Sequence, residues 1–280
     1  MPLKATIFKP ALNTGAVKPV YIILQCAVAM CFIGHGAFGI ITKPIWCNYF
    51  AVAGIGEATA YKLMPVVGMV DILMGISILI YPTRAVTLWL VVWGLITASM
   101  RPLSGEPFAE MIERAGNYGA PLALLLLCGF EPSVESLFSK MKQPVTVSVA
   151  RLQMVQSALR IAAFLLLTGH GWLNLIHKKG LIGQYNALGF RQAENVALVN
   201  GIVEIAAAVF ISVRPNRTLL LVFFIWKVAT ELLYPQYAAL EWIERGGSYG
   251  VLLALWFICA PHTKTAHGAQ KQSLHLDELF

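Results

Sequence analysis

Charged side chains are scarce in this chain. Only 12% of its 280 residues are Asp, Glu, Lys or Arg, and 58% are hydrophobic, whereas a soluble domain carries roughly a quarter charged residues. This composition excludes an ordinary soluble domain and makes the lipid bilayer the first expected partner. The net charge of +7 comes from basic residues scattered over short polar segments. Because these residues form no clustered stripe, a nucleic-acid partner is not expected.

Motifs of self-contained catalysts are also missing. The five cysteines are scattered without a C-x-x-C pair, which argues against a thiol–disulfide enzyme. No Walker sequence occurs, no G-x-G-x-x-G follows a strand, and no His, Cys and Asp set has zinc spacing. Whether the chain has an enzymatic activity of its own stays open at this level.

Long apolar runs take the place of these motifs. Several approach the ~20 residues that a helix needs to cross a bilayer, and the chain is expected to be an all-α membrane protein with eight transmembrane helices. The runs cover residues 21–41, 63–81, 85–100, 118–130, 161–176, 196–213, 219–233 and 249–260. The fourth and eighth are short, so whether they cross fully is left open.

The chain contains a tandem repeat. Gly34-His35-Gly36 returns as Gly169-His170-Gly171, and a long match pairs residues 110–119 with 241–250. Such ordered self-similarity predicts two four-helix units, and an even number of spans per unit makes them parallel. Other matched pairs include Lys43 with Lys178, Asp71 with Glu204, Trp93 with Trp226 and Thr97 with Thr230.

The repeat also predicts the domain boundaries. A polar lead covers residues 1–20, the first unit 21–130, a linker 131–157, the second unit 158–260 and a polar tail 261–280. Lys and Arg are enriched on the side of the linker and both termini, which places that side in the cytoplasm. The expected location is therefore the cytoplasmic (inner) membrane, with both termini cytoplasmic.

Each unit resembles the DoxX family. The resemblance rests on an H-G pair near the outer end of the first helix, an acid among small residues in the second helix, a proline turn, and an E-R-x-G-x-Y segment before the fourth helix. It implies two parallel-related DoxX-like four-helix units. Because the family resembles the small membrane subunit of thiosulfate:quinone oxidoreductases, it also implies a quinone cofactor and protein partners in a membrane complex.

Two acids fall near the middle of apolar helices, Asp71 and Glu204. A carboxylate at this depth costs about 2.5–3.5 kcal/mol or more unless it is protonated, paired or facing water. Each is either a proton-accepting or ligand-binding acid in an internal cavity, or a structural acid bonded within its own unit.

His35 and His170 each stand between two glycines, which leave space beside the imidazole. They are candidates to hydrogen-bond a quinone or substrate. The alternatives are axial ligation of one haem by the pair and a packed histidine without a ligand.

Lys227 and Glu231 stand four residues apart on one helix face and can neutralise each other. Their matched positions in the first half are Gly94 and Ala98. This addition predicts that the second half holds the active pocket, with Glu204, Lys227 and Glu231 forming a triad. The alternative is an ion pair that is tolerated beside Glu204.

Short amphipathic helices are expected in the second outer loop of each unit, with their charged side chains facing water. These charged residues would form a polar outer rim around a pocket, or would only anchor the loop at the headgroups. They are Glu110, Glu113, Arg114, Glu241, Glu244 and Arg245.

The favoured function is a membrane subunit of a redox complex with a quinone or small-substrate pocket open to the outer side. One alternative is a carrier or channel for a small anion or lipid, which the duplication and the Lys227 charge favour. The other is a structural subunit that organises a larger complex.

Overall fold

The computed structural model describes residues 12–130, 133–232 and 238–259. The described chain is helical, with two isolated β-bridges, and the predicted all-α class is confirmed. The lead up to residue 11 and the tail from residue 260 lie outside the described residues. The α-helices are α1 (Val17–Ile40), α2 (Trp46–Val52), α3 (Glu57–Ile80), α4 (Arg84–Leu103), α5 (Ala109–Glu113), α6 (Ala115–Cys128), α7 (Val134–Phe138), α8 (Val149–Leu175), α9 (Lys179–Ala187), α10 (Ala193–Val213), α11 (Arg217–Leu232), α12 (Ala238–Glu244) and α13 (Gly246–Ile258).

Five helices are long and apolar enough to cross a membrane: α1 with the turn before it, α3, α4, α8 and α10. This is the composition of an integral membrane protein, as expected. The other apolar helices are shorter, with 16 residues in α11, 14 in α6 and 13 in α13. Large apolar side chains on the outer faces of α3 and α10 are more than half exposed, including Leu73 at 59% and Val199 at 59%, which suits a surface that faces lipid.

Polar caps mark where the long helices begin. The Thr83 hydroxyl accepts a hydrogen bond from the Val86 N–H at 3.2 Å, directly after Pro82, and α4 starts there. The Ser148 hydroxyl caps α8 in the same way through the Arg151 N–H at 3.3 Å. Each cap satisfies a backbone donor that the first turn leaves free. Helix α8 therefore begins twelve residues before its apolar run, inside the predicted linker, which also contains α7.

Glycines let the long helices approach closely. A Cβ built on Gly39 of α1 would lie 2.7 Å from the Met64 carbonyl oxygen of α3. On the other pair, a Cβ on Gly201 of α10 would lie 2.7 Å from the Gly171 oxygen of α8. Small residues at such crossings are typical of membrane helices, because apolar side chains gain little by packing on each other instead of on lipid.

The two halves of the chain interlock. Helix α1 packs on α12 and α13 of the second half, and α8 packs on α5 and α6 of the first. A Cβ on Gly34 would lie 2.6 Å from the Glu244 Cα, and one on Gly169 would lie 2.6 Å from the Glu113 Cα. Each G-H-G segment is thus pressed against a short helix of the opposite half. One hydrophobic core contains residues of both halves.

Candidate functional site

A histidine and an acid meet at the crossing of α1 and α3. His35 Nδ1 lies 2.7 Å from Asp71 Oδ2, and Asp71 is 1% exposed. Gly36, next to His35, lies against Gly68 and Ile72 of α3 and allows the close helix approach that brings the two side chains together. In the neutral tautomer that carries its proton on Nδ1, the imidazole donates to Asp71, and Nε2 keeps a lone pair for a ligand.

The matched residues of the second half form the same pair. His170 Nδ1 lies 2.5 Å from Glu204 Oε2, and Glu204 is 1% exposed. The other oxygen of Glu204 accepts a hydrogen bond from Trp226 Nε1 at 3.3 Å. The structure therefore brings together the histidine and acid that the sequence singles out in each half.

The first cavity has a volume of about 270 Å³ and lies beside His35. Its wall is largely aromatic and apolar, and the His35 and Trp46 rings are 4.7 Å apart with a 31° angle between their planes. Its lining residues are His35, Trp46, Tyr49, Phe50, Ala53, Ile55, Val67, Trp93, Ile96, Thr97, Met100, Arg101, Arg114, Asn117 and Glu244.

The second cavity has a volume of about 460 Å³ and lies beside His170. Polar groups occupy two positions where the first cavity has apolar residues: Asn200 stands in place of Val67, and Tyr185, with its hydroxyl, in place of Phe50. These polar groups bond among themselves. The Tyr185 hydroxyl donates to Asn174 Oδ1 at 2.7 Å and accepts from Asn200 Nδ2 at 3.1 Å.

Each cavity is completed by the opposite half. Glu244 of α12 lines the first cavity, and Glu113 of α5 lines the second. Among the described residues, none lines both cavities. One haem held by His35 and His170 together does not fit this arrangement, because the two histidines line separate spaces. Within the described ranges, no group of three or more His, Cys, Asp or Glu residues is placed to hold a metal ion.

Lys227 and Glu231 pair as the sequence predicts, at 3.2 Å. The further neighbour of Glu231 is Arg245, at 4.0 Å, and Arg245 also bonds Glu113. Glu204 instead bonds His170 and Trp226. The described contacts therefore do not make the expected triad of Glu204, Lys227 and Glu231.

The predicted outer rim is buried. The structure contradicts the expectation that these charged side chains face water: Glu110, Glu113, Arg114, Glu241, Glu244 and Arg245 are each at most 9% exposed. They belong to a charge network at the junction of the two halves. Its members, among the described residues, are the six cations Lys43, Arg101, Arg114, Lys178, Lys227 and Arg245 and the six anions Glu106, Glu110, Glu113, Glu231, Glu241 and Glu244.

The network is neutral and internally paired. Arg114 donates to Glu110 and Glu113 at 2.9 Å each, and Lys43 reaches across the halves to Glu241 at 2.7 Å. These contacts replace the water that a buried charge loses.

Two carboxyl groups of the network have strongly lowered pKa values. Burial alone would raise the pKa of Glu110, but the cations of Arg114, Lys178 and Arg101 outweigh it and lower this pKa to about 2. Burial also opposes ionisation of Glu244, and Arg114 and Arg245 are the main cations that bring its pKa to about 2. Both glutamates are therefore ionised at neutral pH.

Sequence reasoning did not identify the aromatic wall or four charges of the network, Lys43, Arg101, Glu106 and Lys178. The repeat carried a usable signal for two of these residues and for the wall, because Lys43 matches Lys178 and Trp93 matches Trp226. Recurrence of a polar or aromatic residue marks a shared position. It does not indicate that the position lies beside a cavity.

No protein-family model, no curated protein and no solved structure matches this chain. The resemblance to the DoxX family therefore stays a prediction from the sequence.

Proposed function

We propose that the protein is an integral membrane subunit of a quinone-linked redox complex and binds the ring of a quinone-class molecule in the first cavity. The observation that carries the proposal is the His35–Asp71 pair at the wall of an aromatic cavity. A flat ring can stack on Trp46 and contact Trp93, while His35 Nε2 is left for one ring oxygen. Ligand sites of this kind combine an apolar wall with a few placed polar groups.

The buried acid gives His35 a definite role. Asp71 fixes the ring orientation through Nδ1. In the tautomer with the proton on Nδ1, Nε2 can accept a proton from a hydroxyl group of the ligand. A bound quinone supplies the electron chemistry and needs proton exchange with its oxygens. The aromatic wall keeps that exchange away from bulk water.

The second half carries weaker support for the ring site. The sequence favours the second half, because that half adds Lys227 and Glu231. These two charges, however, pair with each other, and Glu231 also faces Arg245. Its polar groups largely bond one another, whereas the first cavity offers an aromatic surface.

The proposal includes eight spans in two parallel DoxX-like units of the cytoplasmic membrane, with cytoplasmic termini and cavities open to the outer side. Support comes from the helix order, since α1 to α6 and α8 to α13 follow the same pattern of long and short helices. Cysteine labelling of the 139–147 segment and of the 104–107 loop tests this. The two sites should react from opposite sides, and labelling from the same side overturns the topology.

A binding experiment tests the function. Purified protein is extracted for bound quinone and titrated with decylubiquinone and decylubiquinol while tryptophan fluorescence is followed. The variant His35→Phe should weaken decylubiquinol binding at least tenfold, the loss expected from one hydrogen bond of about 1.4 kcal/mol. The matched variant His170→Phe should retain binding.

The same preparation separates the alternatives. If the purified wild-type protein contains no quinone and binds neither added quinone nor added quinol, the redox proposal is wrong. Solute flux in liposomes without such binding supports the carrier instead. A Soret band would indicate haem. A protein with none of these properties is the structural subunit.

A further inference from the structure

The two matched tryptophans differ in their hydrogen bonds. Trp226 lines the second cavity and donates its indole N–H to Glu204 Oε1 at 3.3 Å. Trp93 lines the first cavity, and its indole nitrogen is buried without a hydrogen-bond partner among the described residues. A buried donor without an acceptor costs free energy, so a ligand that supplies a hydrogen-bond acceptor to the Trp93 N–H gains affinity.

The matched acids of the two halves differ in length. Glu204 has one methylene more than Asp71, and its two oxygens serve His170 and Trp226. Asp71 directs Oδ2 to His35 at 2.7 Å and makes no described bond to Trp93. Aspartate therefore leaves the matched tryptophan free, whereas glutamate engages it.

We propose that the first cavity is selective for a phenolic hydroxyl group, the reduced form of the quinone class, and that Trp93 is its second recognition group. The hydroxyl donates to His35 Nε2, and its oxygen accepts the Trp93 N–H. A quinone carbonyl accepts from Trp93 but has no proton for His35 Nε2. The inference rests on the proposed function, because it specifies the ligand form and the residues of the same cavity.

The short side chain of Asp71 then makes the first cavity differ from the second, because it leaves the Trp93 N–H available to a ligand. An acid of glutamate length at position 71 would take the Trp93 N–H as Glu204 takes that of Trp226. The reciprocal change, Glu204→Asp, would release Trp226. Both substitutions keep the charge and the histidine partner, so the hydrogen bond to tryptophan is the main difference.

The test uses 15N-labelled tryptophan indoles and a short-chain quinol. Decylubiquinol, decylubiquinone and the dimethyl ether of decylubiquinol are titrated into wild-type protein and into Trp93→Phe, Asp71→Glu and Trp226→Phe. Wild type should bind the quinol about tenfold more tightly than the quinone or the ether. Trp93→Phe and Asp71→Glu should each lose about tenfold in quinol affinity, and Trp226→Phe should lose none.

The indole signals provide a readout that needs no ligand. In the ligand-free protein the Trp93 N–H signal should move on Asp71→Glu to the hydrogen-bonded range of Trp226, and Glu204→Asp should move Trp226 the opposite way. If Asp71→Glu does not fold, Trp93→Phe carries the affinity test alone. Quinol binding that is unchanged in Trp93→Phe overturns this inference but leaves the proposed function standing. Absence of all binding to wild type overturns both.

Discussion

The pair of Lys227 and Glu231 allows a sharp test of the buried charge network. Lys227 is 0% exposed and lies 3.2 Å from Glu231, which also has Arg245 at 4.0 Å. The variants are Lys227→Met, Glu231→Gln and the double change. Each single change unbalances a neutral network, while the double change removes one charge of each sign.

The structure orders the expected losses. Removing one partner of a buried ion pair typically costs ~3–5 kcal/mol. Lys227→Met should fall at the low end, since Arg245 still faces Glu231. Glu231→Gln should fall at the high end, since no other carboxylate lies within ion-pair distance of Lys227 among the described contacts. At about 2–4 °C per kcal/mol, the losses are roughly 6–12 °C and 10–20 °C in unfolding temperature.

The double variant should recover most of the stability. The first half has Gly94 and Ala98 at the matched positions, both buried, so this helix position tolerates uncharged residues. We expect the double variant to lie within about 1 kcal/mol of wild type, because apolar replacements of a buried pair are often neutral.

Thermal unfolding of the detergent-solubilised protein, followed by tryptophan fluorescence, measures all four proteins in one double-mutant cycle. Lys43→Met is a control that should lose less stability than Lys227→Met. The Lys43 side chain is 26% exposed, so water can partly replace its bond to Glu241. Losses that simply add in the double variant would refute the reasoning, and so would a Lys227→Met protein as stable as wild type.

Further predictions concern packing and pH. Gly34→Ala should lower the unfolding temperature sharply, because its Cβ would lie 2.6 Å from the Glu244 Cα, whereas Gly56→Ala meets nothing within 4 Å and should be near neutral. Equal losses in the two variants would contradict the close-packing argument. For pH, the folded pKa values of Glu110 and Glu244 are about 2, against about 4.3 in an unfolded chain. Their stabilisation is present above the unfolded value and lost as pH falls toward 2, so thermal unfolding should show a loss between about pH 4.5 and 2. Glu110→Gln should reduce this loss of unfolding temperature at low pH. A variant with the same pH profile as wild type would argue against a lowered pKa of Glu110.

The helices could be predicted from the sequence because hydropathy is a local property. Each apolar run of the sequence coincides with a helix of the structure to within one or two residues at its end, and residues 233 and 260, the last of the seventh and eighth runs, lie outside the described residues. His35 and Asp71 were singled out by their recurrence in the second half, but the contact between them was found only in the structure. Pairing of Lys227 with Glu231 was anticipated by their four-residue spacing on one helix face.

Burial of the charged loop helices could not be predicted in the same way. Helix α5 has the pattern of an amphipathic surface helix, because Glu110 and Glu113 are three residues apart and the residues between them are apolar. Its charges are buried because Lys178 and Arg245, distant in sequence, approach Glu110 and Glu113. No periodicity within a short segment contains that information.

The sequence by itself determined that this is a helical protein with the composition of a membrane protein, and that a histidine between two glycines and an acid within an apolar helix occur in each half of the chain. These properties follow from composition, hydropathy and recurrence, which are properties of the chain before it folds. The tertiary structure decided which opposite-half glutamate completes each cavity, which charges are buried, and that Trp93, unlike Trp226, has no hydrogen-bond partner for its N–H among the described residues. Those outcomes depend on close helix approach at glycines and on the reach of single side chains, such as the one methylene that separates Asp71 from Glu204.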